Sequence, residues 1–458
     1  MYRIVASWYM MNQDKDFPKV GIGRVSDMRN PHPVVDARTA EAKPILFDGA
    51  VEGHVLVKNT NKALPLNKPR LISLFGYSAK ASDVFNQNGG FFTDPFVLGS
   101  QPINMNEVFA GFSGLAHNAS AIGINGTMIS GGGSGATAPS LFISPFEAIK
   151  AKADDVGTAV FWDFVNSKPS VDYVSDACIV FGNAWASESY DRPGLDDEYT
   201  DELITHIASQ CNNTIVVLHN AGIRLVEGFV DNPNVTALVF GHLPGQDSGK
   251  AVAAILFGDA NPSGKLPYTV AKKAGDYGTA DPDLPEGKFA KFPQSDFEEG
   301  VFVDYRKFDK EDIEPRYEFG FGLSYTSFEY SDLRVNASDP SPDEYPSGKI
   351  VQGGMEDLWD VLVTVSAGVK NTGDVAGAEV AQLYVGIPGE ETPGKQLRGF
   401  EKPLLNATEE VTVNFGLTRR DLSIWDVERQ LWRLQRGKYG VFVGGSSRDL
   451  PLKGEFEI

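Results

Sequence analysis

From about residue 69 to residue 272 the chain alternates short apolar, β-branched runs with stretches whose apolar positions recur every three or four residues. That rhythm predicts a parallel sheet with helices on both faces, because parallel strands need crossover connections and bury both of their sides. The predicted strands lie in "RLISLFG" from Leu71, "TAVFW" (158–162), "ACIVFG" (177–182), "TIVVLHN" (214–220) and "TALVF" (236–240). Between the third and fourth, "DEYTDELITHIASQC" repeats Tyr199, Leu203, Ile207 and Cys211 at four-residue intervals, the stripe of a helix packed on a sheet.

Beyond Tyr325 the period changes to two, in "VLVTVSAGV", "EVAQLYVGI", "EVTVNF" and "KYGVFVGG". Short alternating strands without helices predict a β-sandwich of roughly 100–130 residues. Residues 85–140 break the α/β rhythm with Gly, Asn, Phe and Ser, and 273–300 are polar and rich in Gly, Pro and Asp, which reads as a linker or long surface loop. The opening "MYRIVASWYMMNQDKDFP" reads as a folded helix: its apolar run ends in Gln13, Asp14, Lys15 and Asp16, and no small-residue cleavage site follows. No run approaches the roughly 20 apolar residues of a membrane span.

At 458 residues, 42% hydrophobic and 22% charged, the chain has room for two or three domains. A net charge of −20 and a pI near 4.8 argue against nucleic acid or an anionic membrane as a partner, and an acidic surface fits a secreted protein working at low pH. Cys178 in a strand and Cys211 at a helix end read as two buried free thiols. Six sequons, at Asn118, Asn125, Asn212, Asn234, Asn336 and Asn406, suit a secretory route.

The six histidines show neither an i, i+4 pair nor a cysteine cluster, so no metal site is expected, and His206 is placed at the surface of its helix. The loop Gly131–Gly135 lacks the Lys and Ser/Thr of a phosphate-binding loop, no serine sits in a G-x-S-x-G elbow, and no cofactor is expected. Glu188, in "FGNAWASESYDRPGL", follows a strand by a few residues, at the carboxyl edge where open α/β sheets gather ligands. On position alone, a solvated Glu188 paired with Arg192 is the simpler reading.

The longer motifs shift that balance. "RIVASWYMMNQDKDFP" resembles the end of the catalytic barrel of fungal glycoside hydrolase family 3 β-glucosidases, and "VLVKNTNKALPL" the entry to their second domain. "GGGSGATAPSLFISPFEAI", "NAWASESYDRPGL", "LPGQDSGKAVAAILFGDANPSGKLPYTV" and "GVFVDYRKFDKEDIEPRYEFGFGLSYTSFEYS" are similar to successive family signatures in the family's order. The resemblance implies a remnant of the barrel's end and a linker at 1–48, an α/β/α sandwich at 49–272, a linker and signature segment at 273–324, and a fibronectin type III-like domain at 325–458. It also implies that Glu188 is the catalytic acid/base, with Ser189 standing where the family has glycine. Ser134, Trp185 and Tyr190 are the expected substrate-binding residues, although an aromatic beside a strand end also serves packing.

Family 3 enzymes retain configuration by pairing such a glutamate with a nucleophilic aspartate in an "SDW"-like motif of a (β/α)8 barrel, a fold of about 250 residues. Fewer than 70 residues precede the sheet domain, so the barrel and its nucleophile are expected to be missing from this chain. Asp27, in "VSDM", follows "KVGIGR" and reads as a loop residue. The expectation is therefore an extracellular β-glucosidase fragment for β-glucosides or oligosaccharides, able to self-associate through its barrel-facing surface and of doubtful activity alone. A β-xylosidase or other exo-acting family 3 glycosidase, and a non-catalytic carbohydrate-binding or scaffold protein, are the alternatives.

Overall fold

The apolar runs build a six-stranded sheet in the computed structural model, which describes residues 1–16, 38–81, 121–131, 141–186, 192–280, 297–337 and 342–458. Its strands are β1 (Val55–Asn59), β2 (Leu71–Phe75), β3 (Ala159–Asp163), β4 (Ala177–Ala184), β5 (Thr214–Asn220) and β6 (Val235–Phe240), in the order β1-β6-β5-β4-β2-β3. All neighbours are parallel except β1, which runs antiparallel to β6. Every residue of β4, β5 and β6 is buried, which is why these runs are continuously apolar rather than alternating.

The helices are α1 (Tyr2–Met10), α2 (Ala42–Gly53), α3 (Pro145–Val156), α4 (Glu198–Ala208), α5 (Ser248–Phe257) and α6 (Tyr305–Lys310). Asp197 caps α4 by accepting from the Thr200 amide at 2.7 Å, and Leu203, Ile204 and Ile207 pack on Cys178, Val180 and Val216. Helix α3 starts in a capping box between Ser144 and Glu147, with Pro145 in the first turn. It crosses α5 at Gly249, where a Cβ would run into the Ser144 carbonyl. Together α3 and α5 cover Ile72, Ile179 and Val217 on the other face. Helix α1 buries none of its residues.

Cys178 and Cys211 form a disulfide and are not free thiols. The α4 stripe docks along β4, which brings the end of the helix over the start of the strand. Spacing along the chain recorded Cys211 only as another apolar position. His206 is half-buried rather than surface, with Nε2 at 2.9 Å from the Pro169 carbonyl.

The C-terminal region is an antiparallel sandwich. One sheet joins β15 (Glu410–Thr418), β10 (Val361–Asn371) and β7 (Phe328–Ala337); the other joins β13 (Gln396–Glu401), β12 (Ala381–Gly386), β18 (Lys438–Gly444) and β19 (Leu452–Glu457). Inward residues such as Val363, Val365, Leu383, Phe415 and Val441 form its core. Short pairs complete it: β8 (Ile350–Val351) with β9 (Gly354–Met355), β11 (Gly377–Ala378) with β14 (Leu404–Leu405), and β16 (Ser423–Asp426) with β17 (Leu431–Leu434).

The described parts of the predicted linker are packed. Tyr277 and Phe308 of α6 join Leu225 and Ala271 in a small core, and the Tyr277 hydroxyl donates to the Thr269 carbonyl at 2.7 Å. Residues 316–323 run back along 266–270: Val270 N donates to Tyr317 O, Leu266 N to Phe321 O, and Leu323 N to Leu56 O of β1. Across the junction with the sandwich, Gln382 Nε2 donates to Gly320 O at 3.0 Å and Lys265 reaches Glu379 at 3.4 Å, the same carboxylate that receives Tyr330 of β7 at 2.7 Å.

Candidate active site

The carboxyl ends of β4, β5 and β6 converge on one edge of the sheet, and the segment bearing Glu188 leaves from the end of β4. Its departure point is braced by Asn183. That side chain is fully buried and takes a hydrogen bond from Gly123 N at 2.7 Å, while its amide nitrogen faces Gly123 O, Gly126 O and Ser78 Oγ at 2.9, 3.2 and 3.3 Å. The Asn183 backbone amide donates to the Tyr77 hydroxyl, which pairs with Thr200 Oγ1 at 2.8 Å. Two residues later, Trp185 N donates to Ala121 O. Trp185 is only 4% exposed, so its ring is buried rather than presented to solvent.

The returning leg is fixed from the other side. Arg192 Nη2 donates to Ile223 O at 2.6 Å, and Leu225 N donates to Leu195 O at 2.8 Å. Behind them the buried Arg224 pairs with Asp197 at 2.9 Å and Asp201 at 2.6 Å. Burial and the nearby Arg224 charge both lower the pKa of Arg192. A cavity of about 390 Å³ opens beside this leg, lined by residues including Pro193, Asp196, Asp201, Glu227 and Lys272.

Three histidines meet behind the edge. His219 lies between Ser78 Oγ at 3.1 Å and Ser248 Oγ at 3.4 Å, and burial lowers its pKa to about 3. Burial lowers His54 to about 4; its Nδ1 donates to Ala50 O at 2.6 Å, and Nε2 has no partner among the described residues. His242 donates from Nδ1 to Gly53 O at 2.7 Å, which leaves Nε2 to accept from Tyr268 at 2.8 Å; Tyr268 in turn accepts from Asn220 Nδ2 at 2.7 Å. Sequence reasoning noted these histidines only as non-ligands. The available signal was His219 inside the apolar run "TIVVLHN", where a polar residue at a buried strand end needs partners.

Glu188, Tyr190, Ser134, Asn118 and Asp27 lie outside the described residues. Both anchors of the Glu188 segment are described, and they stand on the edge expected from the strand pattern. Of the other sequons, Asn125, Asn212, Asn336 and Asn406 are exposed, whereas Asn234 spends its amide nitrogen on Ala208 O at 2.7 Å. Among the described residues no group of three His, Cys, Asp or Glu is arranged to hold a metal ion, and no helix is long and apolar enough to cross a membrane.

Residues 54–325 match the model of the glycosyl hydrolase family 3 C-terminal domain, and residues 379–447 that of the fibronectin type III-like domain. A "Probable beta-glucosidase M" from Neosartorya fischeri is 54% identical over 457 residues, covering 100% of this chain and 56% of its own length. "Beta-glucosidase cel3A" from Pyricularia oryzae is 47% identical over 460 residues, covering 58% of its own length. Among solved structures, a beta-D-glucoside glucohydrolase from Trichoderma reesei superposes with a TM-score of 0.79 at 34% identity, over 99% of this chain and 59% of that one. Beta-glucosidase D2-BGL from Chaetomella raphigera superposes at 0.82 and 35% identity, with the same coverage. The chain thus spans somewhat over half the length of the relatives it matches.

Proposed function

This chain belongs to glycosyl hydrolase family 3, and from that membership we propose that it supplies the acid/base part of a retaining β-glucosidase acting on terminal, non-reducing β-D-glucosyl residues. The observation that carries the reading is a likeness to proteins named beta-glucosidase that runs from one end of the chain to the other at 51–54% identity for the M-type relatives. The described anchors on either side of residue 188, at the carboxyl edge of a parallel sheet, support it, since that is where such sheets place chemistry.

In the proposed reaction Glu188 protonates the departing glycosidic oxygen while an aspartate of a family barrel attacks the anomeric carbon, the two carboxyl groups lying about 5–5.5 Å apart. Glu188, now a carboxylate, then takes a proton from the water that releases glucose. A closed, partly desolvated site would raise its pKa and keep it protonated for the first step. Turning the Arg192 guanidinium to the Ile223 carbonyl suits that need. An extracellular setting is part of the same proposal, and the Cys178–Cys211 disulfide fits an oxidising compartment. Self-association also belongs to it, with Tyr2, Ile4, Tyr9 and Met10 of α1 exposed.

The test uses the polypeptide with a family 3 barrel in frame and the substitution Glu188→Ala. Cellobiose, a poor leaving group, should lose far more rate than dinitrophenyl glucoside, and azide should restore turnover by giving β-glucosyl azide. Equal losses on both substrates, with no response to azide, would remove Glu188 from the reaction.

A further inference from the structure

Three of the chain's six tryptophans, Trp359, Trp425 and Trp432, belong to the β-sandwich region, the last two on its β16–β17 hairpin. Trp425 and Trp432 oppose each other across the β16–β17 hairpin, with ring centroids 5.2 Å apart at 67°. The Arg420 guanidinium lies 3.4 Å from the centroid of the Trp432 ring. Arg419 N donates to Asp360 O at 2.9 Å, which joins the turn that carries Trp359 to the stretch leading into the hairpin. At the turn of the hairpin, Arg429 covers Tyr345 at 4.6 Å, and the Tyr345 hydroxyl donates to Asp426 at 2.7 Å.

The sandwich core does not use these tryptophans; the hairpin's share of it is Leu434, with Ile424 packed against it. Packing and the cation–π contact account for Trp432. They leave unexplained why Trp425 is 42% exposed and Trp359 48%. A protein partner is a poor fit, because a stable interface buries about 800 Å² on each side and this corner offers a few rings on a short hairpin. An anionic polymer would meet the field of a chain with net charge −20. A neutral sugar chain needs much less surface. The all-equatorial β-glucopyranose presents a sheet of C–H bonds to the electron-rich face of one indole, and the guanidinium groups beside it can donate to hydroxyl oxygens.

We propose that this corner is a secondary binding site for a neutral β-glucan, with a glucose ring stacked on Trp425 and Arg420 and Arg429 serving its hydroxyls. The choice of β-glucan rests on the β-glucosidase reading, but the site lies in the sandwich and works without Glu188. It would hold polymer near the enzyme rather than cleave it.

Native electrophoresis of the whole chain through gels containing mixed-linkage β-glucan tests the idea. The parent and Glu188→Ala should be retarded alike, whatever becomes of the catalytic assignment. Trp425→Ala should weaken binding about tenfold or more, while Trp425→Phe, which keeps a stacking face, should stay within about threefold. Oxidation of exposed indoles, located by peptide mass spectrometry, reads the same contact with no substitution: glucan should protect Trp425. An unretarded parent, a folded Trp425→Ala retarded like the parent, or a Trp425 oxidised equally with and without glucan would overturn the proposal.

Discussion

Cys178 and Cys211, 33 positions apart, are bonded to each other across the segment that contains Glu188. The bridge ties the start of β4 to the end of α4, so both approaches to the proposed acid/base loop hang from one covalent link. Closing a loop of this length removes enough freedom from the unfolded chain to be worth about 3–4 kcal/mol. Replacing both cysteines with alanine should lower the stability of the α/β region by that amount in urea unfolding. The sandwich, which has its own core, should keep its transition.

The buried histidines make the fold sensitive to acid. His54 and His219 are neutral in the folded protein, with pKa values of about 4 and about 3, against about 6.5 when unfolded. The unfolded chain therefore binds more protons, and stability present above pH 6.5 drains away as the pH falls from there towards 4–3. At pH 5 the loss is about 2 kcal/mol for each histidine. Stability curves between pH 7 and 4 should show this slope, and His219→Asn should flatten it. An unchanged slope in that variant would mean that carboxylates carry the effect.

Asn183 anchors residues 121–131 to the end of β4. Asn183→Ala leaves Gly123 N without its acceptor and removes the bonds to Gly123 O and Gly126 O, which should cost about 2–4 kcal/mol. Protease cleavage within 121–131 should rise before global unfolding. In a barrel-bearing polypeptide, kcat should fall for cellobiose, because the loop's base would be loosened.

Arg224 neutralises two carboxylates from inside the protein. Arg224→Ala would strand Asp197 and Asp201 and loosen the cap of α4, at a cost of about 3–5 kcal/mol. Arg224→Met with Asp201→Leu should recover part of that loss in thermal melting, since it removes buried charges on both sides of the contact.

The sequence revealed most where burial is uniform. Strands β4 and β5 are apolar throughout because both faces are covered, and the α4 stripe reads cleanly because one face meets the sheet. Strand β1 was harder to see: its five residues end in Lys58 and Asn59, and it is an antiparallel edge. The disulfide was hidden because whether two cysteines meet depends on how a helix docks, which no local pattern records. A motif nominates Glu188, whereas no local pattern announces the groups that hold the two ends of its segment. Asn183, Arg192 and Arg224 act through contacts 23 to 106 positions away in sequence.

The pairing of residues 316–323 with 266–270 and with Leu56 bears on how such proteins could be recombined. The chain leaves the α/β core near Lys272 and then comes back to complete it, so the structural border with the sandwich falls after Leu323. A graft that exchanged everything beyond residue 272 would remove the strand-like partner of Leu266 and Val270 along with the sandwich, and expose their amides. A chimera joined between Tyr325 and Phe328 would keep each core whole, and the interface to be matched would be polar: Gln382 on Gly320, Glu379 on Lys265, Lys395 and Arg448 on Asp309, and Ser446 on Glu318.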